Sequence, residues 1–167
     1  MEKLTAEQWQ DAYNKQSEGK LANYSQINDD IFLGGYEAGE NEVLLRDVMG
    51  VGGVLCIYNQ YKEPAFPSLY RYKCVRLVDD TASNLKEYFR DCIDFINDVI
   101  TKQKKPVLVH CAAGVSRSAT IVIAFIMDTY KISLDDAYQY VLKRRPCIDP
   151  NDGFMEQLRE FEKELFK

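Results

Sequence analysis

Residues 107–130 join two apolar segments through a loop of small side chains, and this unit constrains the fold most. The first segment, VLVH at 107–110, does not alternate polar with apolar residues, which is typical of a strand buried on both faces. The second, RSATIVIAFIMDTY at 117–130, is apolar nearly all round a helix, which predicts a buried helix. The loop then follows the carboxyl end of a central strand, where open α/β sheets bind ligands.

The remainder of the chain alternates predicted strands with predicted helices. Two short strands are predicted in SQINDDIFLGG, and others at 52–58 and 72–78; helices are predicted at 37–48, at 85–100, after Ser133 and around Phe154. The pattern predicts one α/β domain with a central, mainly parallel sheet flanked by helices. Residues 1–20 are polar and are interpreted as an appended arm or short helix, which leaves 21–167 as the domain.

Charge and cysteine content restrict the classes of function. A formal net charge of −5 gives no general attraction to nucleic acid or to an anionic membrane. The longest apolar run, 119–127, is about half of what spans a bilayer, and the N-terminus lacks the apolar stretch of a signal peptide. Five cysteines without metal-site spacing and a single histidine disfavour a structural zinc site. We expect a cytoplasmic or nuclear protein with reduced thiols and no nucleic-acid or membrane partner.

The loop itself has the composition of an anion site beside a reactive thiol. Ala112, Ala113, Gly114, Val115 and Ser116 leave backbone N–H groups free to converge on a ligand at the N-terminus of a helix. Arg117 adds a planar fork that grips two phosphate oxygens at once. The same positive field favours the thiolate of Cys111, which is then aimed at a bound phosphorus. The alternative is a buried cysteine that adjoins an arginine by chance.

HCAAGVSRSAT, residues 110–120, resembles the signature of the cysteine-based protein tyrosine phosphatase superfamily and, more narrowly, of the dual-specificity phosphatases. Two further segments are similar to that family in the same order, IFLGGYEAGENEVL and RRPCIDPNDGFMEQLREFE. The resemblance covers about residues 24–165 and implies a protein tyrosine phosphatase-like fold.

The resemblance also implies the roles of the signature residues. Cys111 would be the nucleophile that forms a cysteinyl-phosphate, and Arg117 would bind the phosphate together with the amides of residues 112–117. Ser118 would donate a hydrogen bond to the sulfur and help the thiolate leave. His110 would set the environment of the thiolate rather than act as a base; a structural histidine is the alternative. No metal or other cofactor is implied.

A general acid must protonate the leaving oxygen, and the resemblance places it after the strand that precedes the long helix. The segment RLVDDTASNL offers Asp79 and Asp80. We predict Asp80, because the family pattern places the acid just before a threonine or similar turn residue. It would return as the base that activates water. Asn151 matches an asparagine of the family and is predicted to brace the phosphate loop, with a helix N-cap as the alternative.

The substrate implied by the resemblance is a phosphorylated protein, at tyrosine and at serine or threonine. The family members that act on phosphoinositides usually carry lysines in the loop, whereas Ala112, Ala113 and Val115 stand here, and the acidic balance gives no support for an RNA 5′ end. A pseudophosphatase that binds phosphoproteins without turnover stays as an alternative. The aromatic segment YNQYKEPAFPSLY is interpreted as loop packing, with a wall of the site as the alternative. An oxidised Cys111 could be trapped as a disulfide, and Cys56 is the first candidate partner, with a buried core cysteine as the alternative.

Overall fold

The computed structural model describes residues 23–167, so the predicted arm at 1–20 lies outside the described residues. Five strands form one sheet in the order β1-β2-β5-β3-β4. They are β1 (Tyr24–Gln26), β2 (Ile31–Gly34), β3 (Gly53–Tyr58), β4 (Arg71–Arg76) and β5 (Val107–His110). The pair β1 and β2 is antiparallel and the other three pairings are parallel, which confirms the predicted mainly parallel sheet.

Helices cover both faces of this sheet. They are α1 (Tyr36–Gly39), α2 (Phe89–Gln103), α3 (Arg117–Tyr130), α4 (Leu134–Arg144) and α5 (Asp152–Leu165), with a π-helical turn at Leu44–Met49 and a 3₁₀ turn at Lys86–Tyr88. Alternate strand residues point to opposite faces. One face, with Leu55 and Val109, packs against helices α2 to α5. The other, with Val54 and Leu108, packs against α1 and the π-helical turn.

The β5–loop–α3 unit has the predicted position at the centre of the fold. Strand β5 pairs with both β2 and β3, and all four of its residues are buried. Helix α3 is buried from Arg117 to Met127, as its apolar sequence predicts. The loop between them therefore begins from a strand and ends in a helix that are both held by the core.

The predicted helix at 37–48 is instead broken into α1 and the π-helical turn. A Cβ atom at Gly39 would overlap the ring of His110, so the chain passes the sheet closely here. The side chain of Asn41 then accepts a hydrogen bond from the backbone N–H of Leu44 at 3.0 Å and starts the second turn. Gly50, with φ +63°, ends it in the left-handed conformation that glycine permits.

Two other predicted helices begin at their capping residues. The Ser133 hydroxyl accepts the backbone N–H of Asp136 at 3.1 Å, and the Asn151 side chain accepts that of Phe154 at 2.9 Å. Both are N-caps. In the part of the chain that the structure describes, no helix has the length and apolar content needed to cross a bilayer.

Candidate active site

The loop of residues 111–117, hereafter the phosphate loop, leaves the carboxyl end of β5 and enters α3. Its turn depends on Gly114, which has φ +69°. A Cβ atom there would lie 2.5 Å from the carbonyl carbon of Gly34 and 2.6 Å from a guanidinium nitrogen of Arg145. Both the backbone conformation and the space therefore require glycine at this position.

The carbonyl groups of the phosphate loop are bound from outside the loop. The carbonyl oxygens of residues 112, 113, 114 and 115 accept hydrogen bonds of 2.8 to 2.9 Å from Tyr36 N, Asn23 Nδ2, Arg145 Nε and Asp149 N, respectively. Among the described residues, no group accepts a hydrogen bond from the backbone amides of Ala112, Ala113, Val115, Ser116 and Arg117. The loop thus keeps its carbonyls engaged and its amides available, as an anion site requires.

The sulfur of Cys111 lies inside this loop, and the residue as a whole is 2% exposed. The backbone N–H of Gly114 donates to Sγ at 3.3 Å, and the buried hydroxyl of Ser118 lies 3.1 Å from it. The sulfur thus has one backbone donor, and its contact with the Ser118 hydroxyl is a hydrogen bond in which either atom can donate. The predicted contact between Ser118 and the cysteine is present in this geometry.

Arg117 is the first residue of α3 and is 7% exposed. Its Nη1 donates to the Asn59 side chain and, at 3.0 Å, to the carbonyl oxygen of Leu77. Its Nε is buried without a hydrogen-bond partner, the single side-chain N or O atom in that condition among the described residues. A buried, unpaired guanidinium N–H is costly unless a ligand accepts it, so this donor is suited to an anionic ligand.

His110 is buried on the face of the sheet opposite to helices α2 to α5, together with Tyr58. Its Nδ1 lies 3.3 Å from the Tyr58 hydroxyl and 3.3 Å from the Cys111 carbonyl oxygen. Burial lowers the pKa of His110 to about 4, so the ring is neutral at neutral pH. Its ring contacts the backbone of the phosphate loop and adds no positive charge beside Cys111.

The two candidate acids differ in what their carboxylates contact. Asp79 Oδ1 accepts hydrogen bonds from the Ser116 hydroxyl at 2.8 Å and from Asn151 Nδ2 at 2.9 Å. Because Ser116 belongs to the phosphate loop, this carboxylate lies at the edge of that loop. The backbone N–H of Asn151 also donates to the Ser116 hydroxyl, at 3.0 Å.

Asp80, the residue predicted from sequence, is turned into its own loop instead. Its Oδ1 accepts hydrogen bonds from the backbone N–H groups of Ala82 and Ser83 and from the Ser83 hydroxyl. The Ser83 hydroxyl lowers the pKa of Asp80 below its ordinary value, which is the wrong direction for a proton donor near neutral pH. The geometry therefore brings Asp79, not Asp80, to the phosphate loop.

Sequence reasoning did not assign roles to two other residues of this site, Arg145 and Asn59. Arg145 is buried under the loop, where it binds the carbonyls of Ala113 and Gly114 and the side chains of Asn23 and Ser25. Asn59 follows β3 and anchors Arg117. The sequence offers a signal for each residue. Arg145 belongs to the RRP segment, and Asn59 comes just after a buried strand, at the same edge of the sheet as the phosphate loop.

A cleft of about 370 Å³ opens beside the phosphate loop. Its walls include Ala112, Arg117 and three aromatic rings, Tyr36, Tyr58 and Tyr61. The Nζ of Lys62 lies 3.8 Å from the centre of the Tyr36 ring and forms an ion pair with Glu40 at 2.6 Å. The first part of the aromatic segment after β3 thus forms a wall of the site, which the sequence analysis kept only as an alternative.

The family model for the catalytic domain of dual specificity phosphatases matches residues 31–164, most of the chain. The chain belongs to the dual specificity phosphatase family. Dual specificity protein phosphatase 1 of Arabidopsis thaliana is 39% identical over 141 residues, 84% of this chain and 70% of that protein. Dual specificity protein phosphatase 14 of Homo sapiens is 40% identical over 152 residues, 90% of this chain and 74% of that protein.

Solved structures of dual specificity phosphatases and their relatives have the same fold. The human tyrosine phosphatase-like serine/threonine/tyrosine-interacting protein superposes with a TM-score of 0.80 at 35% identity, over 87% of this chain and 99% of that one. These similarities confirm three predictions made from sequence: the family, the single-domain α/β architecture and an enzyme of the dual-specificity protein phosphatase class.

Proposed function

We propose that this dual specificity phosphatase hydrolyses phosphate monoesters on tyrosine and on serine or threonine of proteins through a cysteinyl-phosphate intermediate. One observation carries the proposal: the buried, unpaired Nε of Arg117 adjoins a loop whose amides are free. A phosphoryl group satisfies these donors together, because its three oxygens accept several hydrogen bonds at once. Arg117 and the amides of residues 112–117 would stabilise the charge on the equatorial oxygens as phosphorus is attacked.

In the first step the Cys111 thiolate attacks phosphorus, the sulfur–phosphorus bond forms and the bond to the substrate oxygen breaks. The leaving oxygen needs a proton, and we assign the donor to Asp79 in place of Asp80. The support is the contact between Asp79 and Ser116, which keeps the Asp79 carboxyl beside the bound phosphate. Asn151 would position Asp79 through its side-chain amide rather than brace the loop alone.

In the second step water attacks the phosphorus of the cysteinyl-phosphate, and the thiolate of Cys111 leaves. The Asp79 carboxylate would take the proton of that water, since it gave up its own proton in the first step. Ser118 and the Gly114 N–H donate to the sulfur and so stabilise the leaving thiolate. The neutral ring of His110 takes no part in proton transfer; it fixes the backbone at Cys111.

The cleft beside the loop supports a protein substrate with an aromatic residue. Flat walls formed by Tyr36, Tyr58 and Tyr61 suit the ring of a phosphotyrosine by edge and face contacts. The wall does not close over the loop, so the shorter phosphoserine and phosphothreonine side chains also reach it in this proposal. The phosphate loop offers no lysine to an additional phosphate of a lipid headgroup.

A second candidate is binding of phosphoproteins without turnover. It is favoured by one of the similar structures, which is described as tyrosine phosphatase-like. The experiment that separates the two measures phosphate released from a small aryl phosphate by the wild type, by Cys111→Ser and by Cys147→Ser, which alters an exposed cysteine. We expect Cys111→Ser to lose turnover by about 10⁴-fold or more, and Cys147→Ser to retain it.

The enzyme proposal fails if the wild type releases no phosphate or if Cys111→Ser releases as much. Peptides of one sequence that carry phosphotyrosine, phosphothreonine or phosphoserine then test the substrate range. Comparable kcat/KM values on all three support dual specificity, and turnover of one alone narrows the proposal to that residue.

A further inference from the structure

Two cysteines outside the active site, Cys56 and Cys74, oppose each other across neighbouring strands. Cys56 lies on β3 and Cys74 on the edge strand β4, and the two are direct partners in the parallel register. Their sulfur atoms are 3.0 Å apart. Cys56 is 5% exposed, whereas Cys74 is exposed to solvent.

The register and the sulfur–sulfur distance of this pair are compatible with a disulfide. Neighbouring strands lie about 4.8 Å apart, and a disulfide bridges Cα atoms roughly 4.4–6.8 Å apart. The sulfur atoms have only to approach from 3.0 Å to a bond of about 2.05 Å. Because the strands are already paired in this register, the bond can form without moving the sheet.

The two thiols are also unequal in a way that suits stepwise oxidation. The Cys56 thiol donates its hydrogen bond to the Cys74 sulfur, which lowers the pKa of Cys74 to about 7. The same hydrogen bond and burial raise the pKa of Cys56. Cys74 is therefore the exposed thiolate that meets an oxidant, and Cys56 is the buried thiol behind it.

The placement of Cys56 disfavours the partner considered from sequence, Cys111. The residue opposite Cys56 on β5 is His110, so these two side chains share one face of the sheet. Cys111 packs in the cluster on the other face, and its sulfur is engaged by Ser118 and Gly114. The catalytic thiol is thus separated from Cys56 by the sheet itself.

We propose that Cys56 and Cys74 are an oxidation site that forms a cross-strand disulfide when the protein meets a hydroperoxide. The Cys74 thiolate attacks one peroxide oxygen, and an S–O bond forms as the O–O bond breaks; the departing hydroxide takes up the proton that the thiol had released, so a sulfenic acid and water result. The Cys56 thiol then attacks the Cys74 sulfur, the S–S bond forms and a second water leaves. Two thiols and one hydrogen peroxide give one disulfide and two waters. The inference is independent of the proposed function.

The test treats the full chain with a low excess of hydrogen peroxide, blocks the remaining thiols and identifies the linked tryptic peptides by mass spectrometry. We expect residues 47–62, which contain Cys56, joined to residues 74–76, which contain Cys74, with the loss of two hydrogens. The same link is expected in Cys111→Ser, because the catalytic thiol takes no part. It is expected in Cys147→Ser, the control for an exposed cysteine, and is lost in Cys74→Ser.

Oxidation should also raise the unfolding temperature of the wild type and leave that of Cys74→Ser unchanged, because the disulfide ties the edge strand to the sheet. A peptide that joins Cys56 to Cys111 would overturn the proposal, as would reduced Cys56 and Cys74 at a peroxide dose that oxidises Cys111. The disulfide is detected by peptide mass, also in Cys111→Ser, so its absence would not bear on whether the protein hydrolyses phosphate. Equally, a lack of phosphate release would not bear on whether the disulfide forms.

Discussion

The phosphate loop and the segment of residues 78–85, here called the acid loop, make an instructive contrast. Both carry side chains assigned to the same reaction. The phosphate loop is tied to Asn23, α1, Arg145 and Asp149 through its own carbonyls, and Cys111, the proposed nucleophile, is buried. The acid loop is mostly exposed; apart from the contact between Asp79 and Ser116, its ties run to α5 and to the N-cap of that helix, Asn151.

The ties between the acid loop and α5 are side-chain contacts. Gln157 accepts hydrogen bonds from the backbone N–H groups of Leu85 and Lys86 and donates to the Ser83 carbonyl oxygen at 2.8 Å. A Cβ atom at Gly153 would overlap the carbonyl of Thr81, so the helix approaches this loop closely. The loop that contains Cys111 is thus fixed at the carbonyls of four successive residues, whereas the acid loop is held mainly by the side chains of Asn151 and Gln157, which substitution removes one at a time.

After removal of the Cys111 thiol, the largest effect is expected in the phosphate loop, from Arg117→Lys. A lysine supplies one compact charge and cannot keep the contacts to Asn59 and Leu77 while also facing two phosphate oxygens. We expect kcat/KM on an aryl phosphate to fall about 10³-fold. Arg144→Lys, at an exposed position of α4, is the matched control and should match the wild type. Retention of a tenth of the activity by Arg117→Lys would contradict the role of its fork.

In the acid loop, Asp79→Asn and Asp80→Asn form a matched pair on adjacent residues. We expect Asp79→Asn to lower kcat on a phosphoserine peptide about 10²-fold, because the alkoxide then leaves without a proton. On an aryl phosphate with a good leaving group the loss should be smaller. Asp80→Asn should stay near the wild type, since that carboxylate is bound within its own turn. The reverse pattern in steady-state kinetics would restore Asp80 as the acid.

A third expected effect concerns the pH dependence of folding stability, through the buried ring of His110. The folded pKa of His110 is about 4, below about 6.5 for an unfolded imidazole. The unfolded chain therefore binds the proton first. The contribution of His110 to stability is complete above about pH 6.5 and is lost as the pH falls towards 4.

Urea unfolding of the wild type should show a loss of about 2 kcal/mol between pH 7 and pH 5 that His110→Gln does not share. The chain has one histidine, so no other imidazole contributes to the difference. Equal pH slopes in the two proteins would refute this account of the ring.

The smallest effect separates the two contacts of Asn151, whose Oδ1 caps α5 and whose Nδ2 binds Asp79. Asn151→Ser keeps a capping oxygen and loses the amide, so we expect activity to fall severalfold with the free energy of unfolding nearly unchanged. Asn151→Ala should lose the same activity and, in addition, about 1 kcal/mol of stability. If Asn151→Ser has wild-type kcat, the residue is only a cap.

The same contrast explains what the sequence could and could not predict. The phosphate loop is a local unit of strand, loop and helix. Adjacent residues are therefore enough to predict that Cys111, Arg117 and Ser118 lie close together. Asp79 is positioned by Asn151, which lies 72 residues further along the chain. No local pattern distinguishes it from Asp80: the rule based on the following threonine selects Asp80, whereas Asp79 makes the contact with the phosphate loop. The break at Gly39 and the role of Arg145 likewise depend on distant partners, His110 and Asn23.

The contacts that Arg145 makes with the phosphate loop also have a consequence for folding during synthesis. Its guanidinium joins the phosphate loop to Ser25, which lies 120 residues earlier in the chain. The acid loop is bound by Asn151 and Gln157, which lie later in the chain. During synthesis, when chains fold from the N-terminus, Cys111 leaves the ribosome before Arg145, Asn151 and Gln157 do. An unfinished chain therefore carries the thiol without these three contacts, and under the proposed function it would become active only once the last helix is made.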